Sequence, residues 1–425
     1  MTLVQDQQLA DHGLVPARYL LTALVVAMLL STSATVAIEI AAYAMFAWYP
    51  SLRARVWRVL KQPASIALAV FLASVVVAVF YGLAPWKDAL GQLSGWRKAL
   101  LFFLAAAVFD EEDAKRSLAA IYVLVCFCAV VLSFITHFGQ IQIFRHIGNG
   151  ITIHNYAVQS FAFSIAAGLA ALALIDQSRF ATTPLLRHWT FALLAVVAFV
   201  ADILFVLQGR SGYVILIVIA VTLAVMLGGH SRRTRLVVVT CVVAVALAGL
   251  AASSVARQRL GQAIAEMRAV NSSPELTSAG VRIVFWQNAA GIIAKHPVFG
   301  VGTAGFKEAY REQVQGVSGW QAELTGDPHN QFLKVWAEQG IFGLAALVAF
   351  IVLVLRSDGL HPYREMAIGI LLAVTASSFA NSHFSTFTEG RLTFFWIGAL
   401  MALPLGMTAP TPFSGANREP TRDPT

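Results

Sequence analysis

Asp327-Pro328-His329-Asn330 is the part of the chain most suited to proton-transfer chemistry. Asp favours helix N-caps and Pro the first helical position, so a helix is predicted to open here with His329 in its first turn. The N-terminal end of a helix disfavours imidazolium, and a neutral imidazole can act as a general base. The same residues also fit a plain helix start with an incidental His. Arg210 lies in Leu207-Gln208-Gly209-Arg210-Ser211-Gly212-Tyr213, between two apolar runs. Its guanidinium can grip phosphate oxygens at two points, or simply reach for the membrane interface. Arg282 precedes Trp286 by four residues. That helical spacing suits stacking on the indole, or a surface anchor. Gly300-Val301-Gly302-Thr303-Ala304-Gly305 has GxGxxG spacing. With no strand before it, it is either a tight turn or a backbone nest for an anion.

Other polar residues carry weaker signals. Asp110-Glu111-Glu112-Asp113 is the densest acidic run and, beside Lys115 and Arg116, reads as a solvated interfacial cluster. No HExxH and no Cys/His spacing suits zinc, so no metal site is expected. Glu39 and Asp202 fall inside apolar runs and suit either an ion path or paired packing. His137, His146, His154, His296 and His383 are scattered and unremarkable, while Asn381 through Arg391 form a polar turn able to line a site. Two arginines, a neutral-prone histidine and no metal site together predict chemistry on a lipid-linked diphosphate. The arginines would neutralise the leaving group and the histidine would deprotonate an acceptor hydroxyl.

A membrane scaffold must position these residues. Of 425 residues, 58% are hydrophobic and 12% charged, with mean hydropathy +0.71. A soluble domain is about half apolar and about a quarter charged. A span needs about 20 apolar residues, so there is room for roughly a dozen. A cytosolic enzyme, a disordered chain and a disulfide scaffold are excluded. Continuous apolar runs also exclude an outer-membrane barrel. Cys126, Cys128 and Cys241 lie in apolar runs and predict neither a disulfide nor a metal site.

An all-α polytopic membrane protein is expected, with twelve spans near 14–32, 34–49, 64–84, 95–109, 115–138, 156–175, 188–207, 211–228, 235–254, 331–355, 363–380 and 393–409. The first two form a tight hairpin. A signal peptide ending at Ser31–Ala34 is the rival reading of the start, but its leading segment is not basic. With the N-terminus inside, sixteen basic residues from Arg18 to Arg422 fall in inner segments. Six fall outside: Lys87, Arg97, Lys98, Arg145, Arg210 and Arg391. Basic residues concentrate in cytoplasmic loops, so both termini are expected there. The net charge of +8 then reports topology and not a nucleic-acid partner.

Residues 1–254 carry spans one to nine, 255–330 a helical loop on the outer side, 331–409 spans ten to twelve, and 410–425 a disordered cytoplasmic tail with Arg418 and Arg422. The loop balances seven basic against six acidic residues. Helices are predicted at Val255–Val270, Val281–Ala294 and Phe306–Gln315. A long structured loop in a short-looped membrane protein is a place for function.

His329-Asn330, nine residues and then Gly340-Ile341-Phe342-Gly343 resemble the signature of the bacterial O-antigen ligases, within the O-antigen ligase and polymerase group. The Arg210 turn, the Arg282-to-Trp286 stretch and Gly300–Phe306 resemble that group's arginine motifs and glycine-rich element. The order Gly209-Arg210-Ser211 departs from the pattern, so only the Arg aligns there. The resemblance implies a metal-independent, inverting glycosyltransferase of the GT-C type in the bacterial inner membrane. Such an enzyme moves polysaccharide from undecaprenyl diphosphate to lipid A–core oligosaccharide at the periplasmic face. It implies His329 as the catalytic residue and Arg210 and Arg282 as diphosphate ligands, with Asn330, Gln208, Trp286, Gly300 and Gly302 in support. The implied partners are the lipid-linked donor, the lipid A–core acceptor and the bilayer, with no cofactor. An O-antigen polymerase and a protein O-oligosaccharyltransferase share these features. A secondary transporter using Glu39 and Asp202 is the reading from another class.

Overall fold

A computed structural model describes residues 13–141, 148–178, 186–227, 231–269 and 278–403. Arg145, His146, Arg418, Arg422 and the tail lie outside these residues. The described residues form helices and no strand, as expected of an all-α protein.

Helices α1 (Leu14–Leu30) and α2 (Thr32–Trp48) make the predicted hairpin. Ser31 closes the first, its N–H donating to Ala27 O at 2.9 Å, and caps the second, its hydroxyl accepting from Ala34 N at 3.3 Å. Pro50 and Pro63 start α3 (Pro50–Leu60) and α4 (Pro63–Val77), which meet at 95°. Proline sets the backbone for a first turn and cannot continue a helix before it. After α5 (Trp86–Trp96) and a 3-10 turn, α6 is only Leu100–Val108. Then come α7 (Glu112–Phe138), α8 (Tyr156–Ile175), α9 (Trp189–Phe205), α10 (Arg210–Leu227) and α11 (Arg232–Ala252). The long loop folds as α12 (Ser254–Ala269), α13 (Ser278–Lys295) and α14 (Phe306–Gln313). It carries a small core of its own around Phe285, Ile292, Phe306 and Tyr310. The chain ends in α15 (Gln331–Arg356), α16 (Tyr363–Ser377) and α17 (Thr388–Met401).

Twelve spans were expected. Among the described residues five helices are long and apolar enough to cross a membrane, six if α3 and α4 count as one bent span. Helices α1, α2 and α9 are apolar but shorter. The predicted span 95–109 is shortened because its first residues form α5's end and the 3-10 turn. Helix α8 is central, buried over 83% of its apolar window and packed on α7, α9, α10 and α17. Helix α11 is the opposite case. It is apolar all round and buries no residue, the composition of a helix facing lipid.

The acidic residues depart from expectation in one place. Asp110 is not solvated: it is buried between Arg18 (3.1 Å) and Arg55 (3.0 Å), while Glu111 and Asp113 stay exposed. Burial of one carboxylate is tolerated because two guanidiniums compensate it. Glu39 is fully buried and takes Arg391 at 2.8 Å, Arg97 at 3.5 Å and the Tyr43 hydroxyl at 2.7 Å. Ser133 Oγ lies 2.5 Å from Asp202 Oδ2, and Gln159 Nε2 donates to Oδ1 at 3.3 Å. Both acids are paired packing groups. Cys126 is buried, and all three cysteines are free.

Candidate functional site

The helix after His329 is capped by Asn330 and not by Asp327. Asn330 Oδ1 accepts from Phe332 N (3.0 Å) and Leu333 N (3.1 Å), and its Nδ2 donates to Phe379 O (2.9 Å). Asp327 is engaged elsewhere. Its Oδ1 accepts from the His329 amide at 2.8 Å and from Ser382 Oγ at 2.6 Å. Its Oδ2 lies 3.4 Å from Lys334 Nζ. This leaves His329 outside the helix at φ +53°, a left-handed conformation the Asp327 bond helps to hold. Its ring stacks on Phe285 of α13, with centroids 6.1 Å apart.

His329 is held below the usual imidazole pKa, as the sequence implied, but for different reasons. Burial is the largest cause, Arg282 and Lys334 add to it, and Asp327 opposes it. The helix dipole is not the cause, because His329 precedes the cap residue Asn330. For Asp327 burial acts upward, but Lys334, Ser382 and the His329 amide outweigh it and hold the carboxyl below its usual range.

Lys334 was missed. It is the one basic residue that loop counting assigns to neither side, because it sits inside a predicted span. That is itself the signal: an ionisable residue within an apolar run is a functional candidate by default. Lys334 is buried, and one turn on lies Glu338, 2% exposed. Gln92 of α5 donates to Glu338 Oε2, while Oε1 has no partner among the described residues. The polar turn before α17 does line this place. Gln331 N donates to Ser378 O at 2.9 Å, and Gln331 Oε1 accepts from Ser385 N at 3.1 Å. His383, in that turn, is buried, 2.8 Å from Ser377 Oγ and stacked on Phe161.

The glycine-rich loop is the tight turn. Helix α15 is broken at Gly340 (φ +67°, ψ −169°), which leaves carbonyls of the preceding turn without helical donors. Val301 N donates to Ala337 O (2.8 Å) and Gly302 N to Glu338 O (2.9 Å). Thr303 N donates to Ala78 O (3.0 Å) and Gly305 N to Gly302 O (2.9 Å). These four amides are committed, so they form no anion nest. Gly300 and Gly302 let backbones meet. A Cβ on Gly302 would lie 2.0 Å from Gly82 Cα, and one on Gly300 2.6 Å from Ala337 O.

Arg210 is the first residue of α10. Gly209 and Gly212 let this turn press against Ser160 of α8. Gln208 accepts from Arg259 of α12, one of the seven basic residues counted in the long loop. Trp286 follows Phe285 on α13, and its indole N–H is buried without a partner among the described residues. The charges acting on His329 are Asp327, Arg282 and Lys334. The Phe285 stack brings the α13 segment that carries Arg282 to His329, while Arg210 opens α10 two residues after Gln208, which pairs with Arg259. Among the described residues no group of three His, Cys, Asp or Glu side chains could hold a metal ion.

Residues 193–348 match the family model described as O-Antigen ligase. The match spans a little over a third of the chain, from within α9 to just beyond the Gly340 break. An uncharacterized protein of Haemophilus influenzae is 37% identical over 76 residues. That stretch is 18% of this chain and 19% of the relative, so the chain covers about a fifth of it. Arg210, Arg282, Lys334, His329 and the glycine clasp therefore all lie in a region similar to the O-antigen ligase family, the group to which the sequence motifs pointed.

Proposed function

We propose that the protein is a metal-independent inverting glycosyltransferase of the GT-C type. It moves a glycan from undecaprenyl diphosphate to a hydroxyl of lipid A–core oligosaccharide, at the periplasmic face of the bacterial inner membrane. The observation that carries this is the setting of His329: a neutral-prone imidazole turned out of the helix by Asp327, with Arg282 and Lys334 beside it. The region's similarity to the O-antigen ligase family supports the same reading.

In this reading His329 takes the proton of the acceptor hydroxyl as its oxygen attacks the anomeric carbon. The bond from that carbon to the diphosphate oxygen breaks, with inversion, and undecaprenyl diphosphate leaves. Arg210 and Arg282 hold the diphosphate and neutralise the charge it gains, and buried Lys334 adds a third cation. Trp286 and Gln208 flank the two arginines, Asn330 caps the helix carrying Lys334, and Gly300 with Gly302 keeps that helix in place. An O-antigen polymerase, with a second lipid-linked glycan as acceptor, and a protein O-oligosaccharyltransferase use the same donor. A transporter is disfavoured because Glu39 and Asp202 are both saturated by packing partners.

The test is reconstitution of purified protein with an undecaprenyl-diphosphate glycan and each candidate acceptor, with chelator in excess. Glycosylated lipid A–core is expected. A polymer, a glycoprotein or no transfer redirects the assignment, and a strict need for a divalent ion removes the arginine mechanism.

A further inference from the structure

We infer that the cleft at the head of α10 is a subsite for uncharged sugar residues, from the glycan of either donor or acceptor. This rests on the glycosyl-transfer reading above. The cleft encloses about 390 Å³ and is lined by His137, Gln140, Asn149, Tyr156 and Gln208 beside apolar Leu207. Ligand pockets span about 300–1,000 Å³. The side-chain amides, phenol and imidazole of this lining over apolar surface suit a pyranose. Its hydroxyls both donate and accept, and its C–H faces lie on aromatic rings.

The cleft has an open valence. Asn149 Nδ2 donates to Gln140 Oε1 at 2.9 Å, and Gln140 Nε2 donates to His137 O at 2.7 Å. Asn149 Oδ1 is buried with no donor among the described residues. A buried acceptor left without a donor is costly, and turning the Asn149 amide toward a sugar hydroxyl in the cleft relieves that cost.

The wall carrying Asn149 is built into the core. Gly150 has φ +85°, and a Cβ there would lie 2.4 Å from Val206 Cγ1. Its carbonyl accepts from Ser133 Oγ (2.5 Å) and Gln159 Nε2 (2.9 Å), and its amide donates to Thr136 Oγ1 (3.2 Å). Ser133 and Gln159 are the residues that also hold buried Asp202. Asp202 thus finds its role in anchoring this wall. At the other side Gln208 precedes Arg210 by two residues. In a glycan diphosphate the first sugar is bonded directly to the diphosphate, so a sugar subsite beside a diphosphate-gripping arginine has the required order.

The test compares full-length wild type with Asn149→Ala and Tyr156→Ala in nanodiscs. The probes are bare undecaprenyl diphosphate, the same lipid carrying a short neutral oligosaccharide, and lipid A–core oligosaccharide. Both variants should keep wild-type affinity for the bare lipid diphosphate. They should lose about three- to tenfold for one glycan probe, the worth of a single hydrogen bond or ring contact. The probe that weakens identifies donor or acceptor as the source. Tyr156 is half exposed at a helix start, so its variant stays informative if Asn149→Ala disturbs the loop. Wild-type affinity of both variants for both glycan probes overturns the subsite. If wild type ignores the bare lipid diphosphate but the variants still lose a glycan, the subsite stands and the diphosphate reading falls.

Discussion

At the scale of single residues, the site depends on how Asp327 is used. One oxygen turns the His329 amide and the Ser382 hydroxyl, the other meets Lys334, and none is left to cap a helix. His329→Ala is therefore expected to leave a folded protein while lowering transfer by about 10²- to 10⁴-fold, the range for a positioned acid–base group. Wild-type transfer in that variant would remove the catalytic role. The pH dependence follows from charge. A base works when neutral, and His329 is held below the free value of about 6.5. The rate should be flat above its pKa and fall as pH drops through it. Lys334→Met removes a positive charge that opposes protonation, so His329 should protonate at higher pH. The acid limb of the kcat/KM profile should move upward, and an unmoved limb refutes the influence of Lys334 on His329.

At the scale of elements, the deciding feature is the clasp between the glycine loop and the break in α15. Val301 and Gly302 occupy the carbonyls of Ala337 and Glu338, and Ile341 N donates to Pro297 O at 3.1 Å. The short helical segment before the break carries Asn330, Lys334 and Glu338 four residues apart, on one face. Gly340→Ala places a Cβ 2.0 Å from Val298 O at a positive φ. The backbone strain alone should cost about 1–3 kcal/mol. The expected result is a lower thermal midpoint with impaired transfer, since Asn330 and Lys334 move with the segment. An unchanged midpoint would show that the break tolerates a side chain.

At the scale of the whole molecule, buried ion pairs tie distant segments together. Glu39 and Arg391 are 352 positions apart, and Arg391 is 1% exposed. Stranding a buried charge typically costs about 3–5 kcal/mol, and removing Arg391 leaves Glu39 with only the longer Arg97 pair at 3.5 Å. Arg391→Met should therefore lower the thermal midpoint markedly. The double variant Glu39→Gln, Arg391→Met should recover much of the loss, because Arg97 is partly solvent-facing. A double variant less stable than the single one would show that the pair stabilises beyond mutual compensation.

The all-helical class, the α1–α2 hairpin and the helices of the long loop followed from composition and period, because apolar runs and caps are local signals. His329, Arg210 and Arg282 were legible as chemical types at exposed breaks between those runs. Which residues meet them was not legible. The pairing of Asp327 with Lys334, the stacking of Phe285 on His329 and the burial of Asp110 depend on segments far apart in sequence. Gly340 looked like a motif position, yet its φ exists only because the 297–302 backbone occupies the place of a side chain. Sequence alone determined which residues could do chemistry and that a membrane-type helical scaffold holds them. Tertiary structure decided their neighbours, because burial and charge compensation are properties of contacts and not of order along the chain.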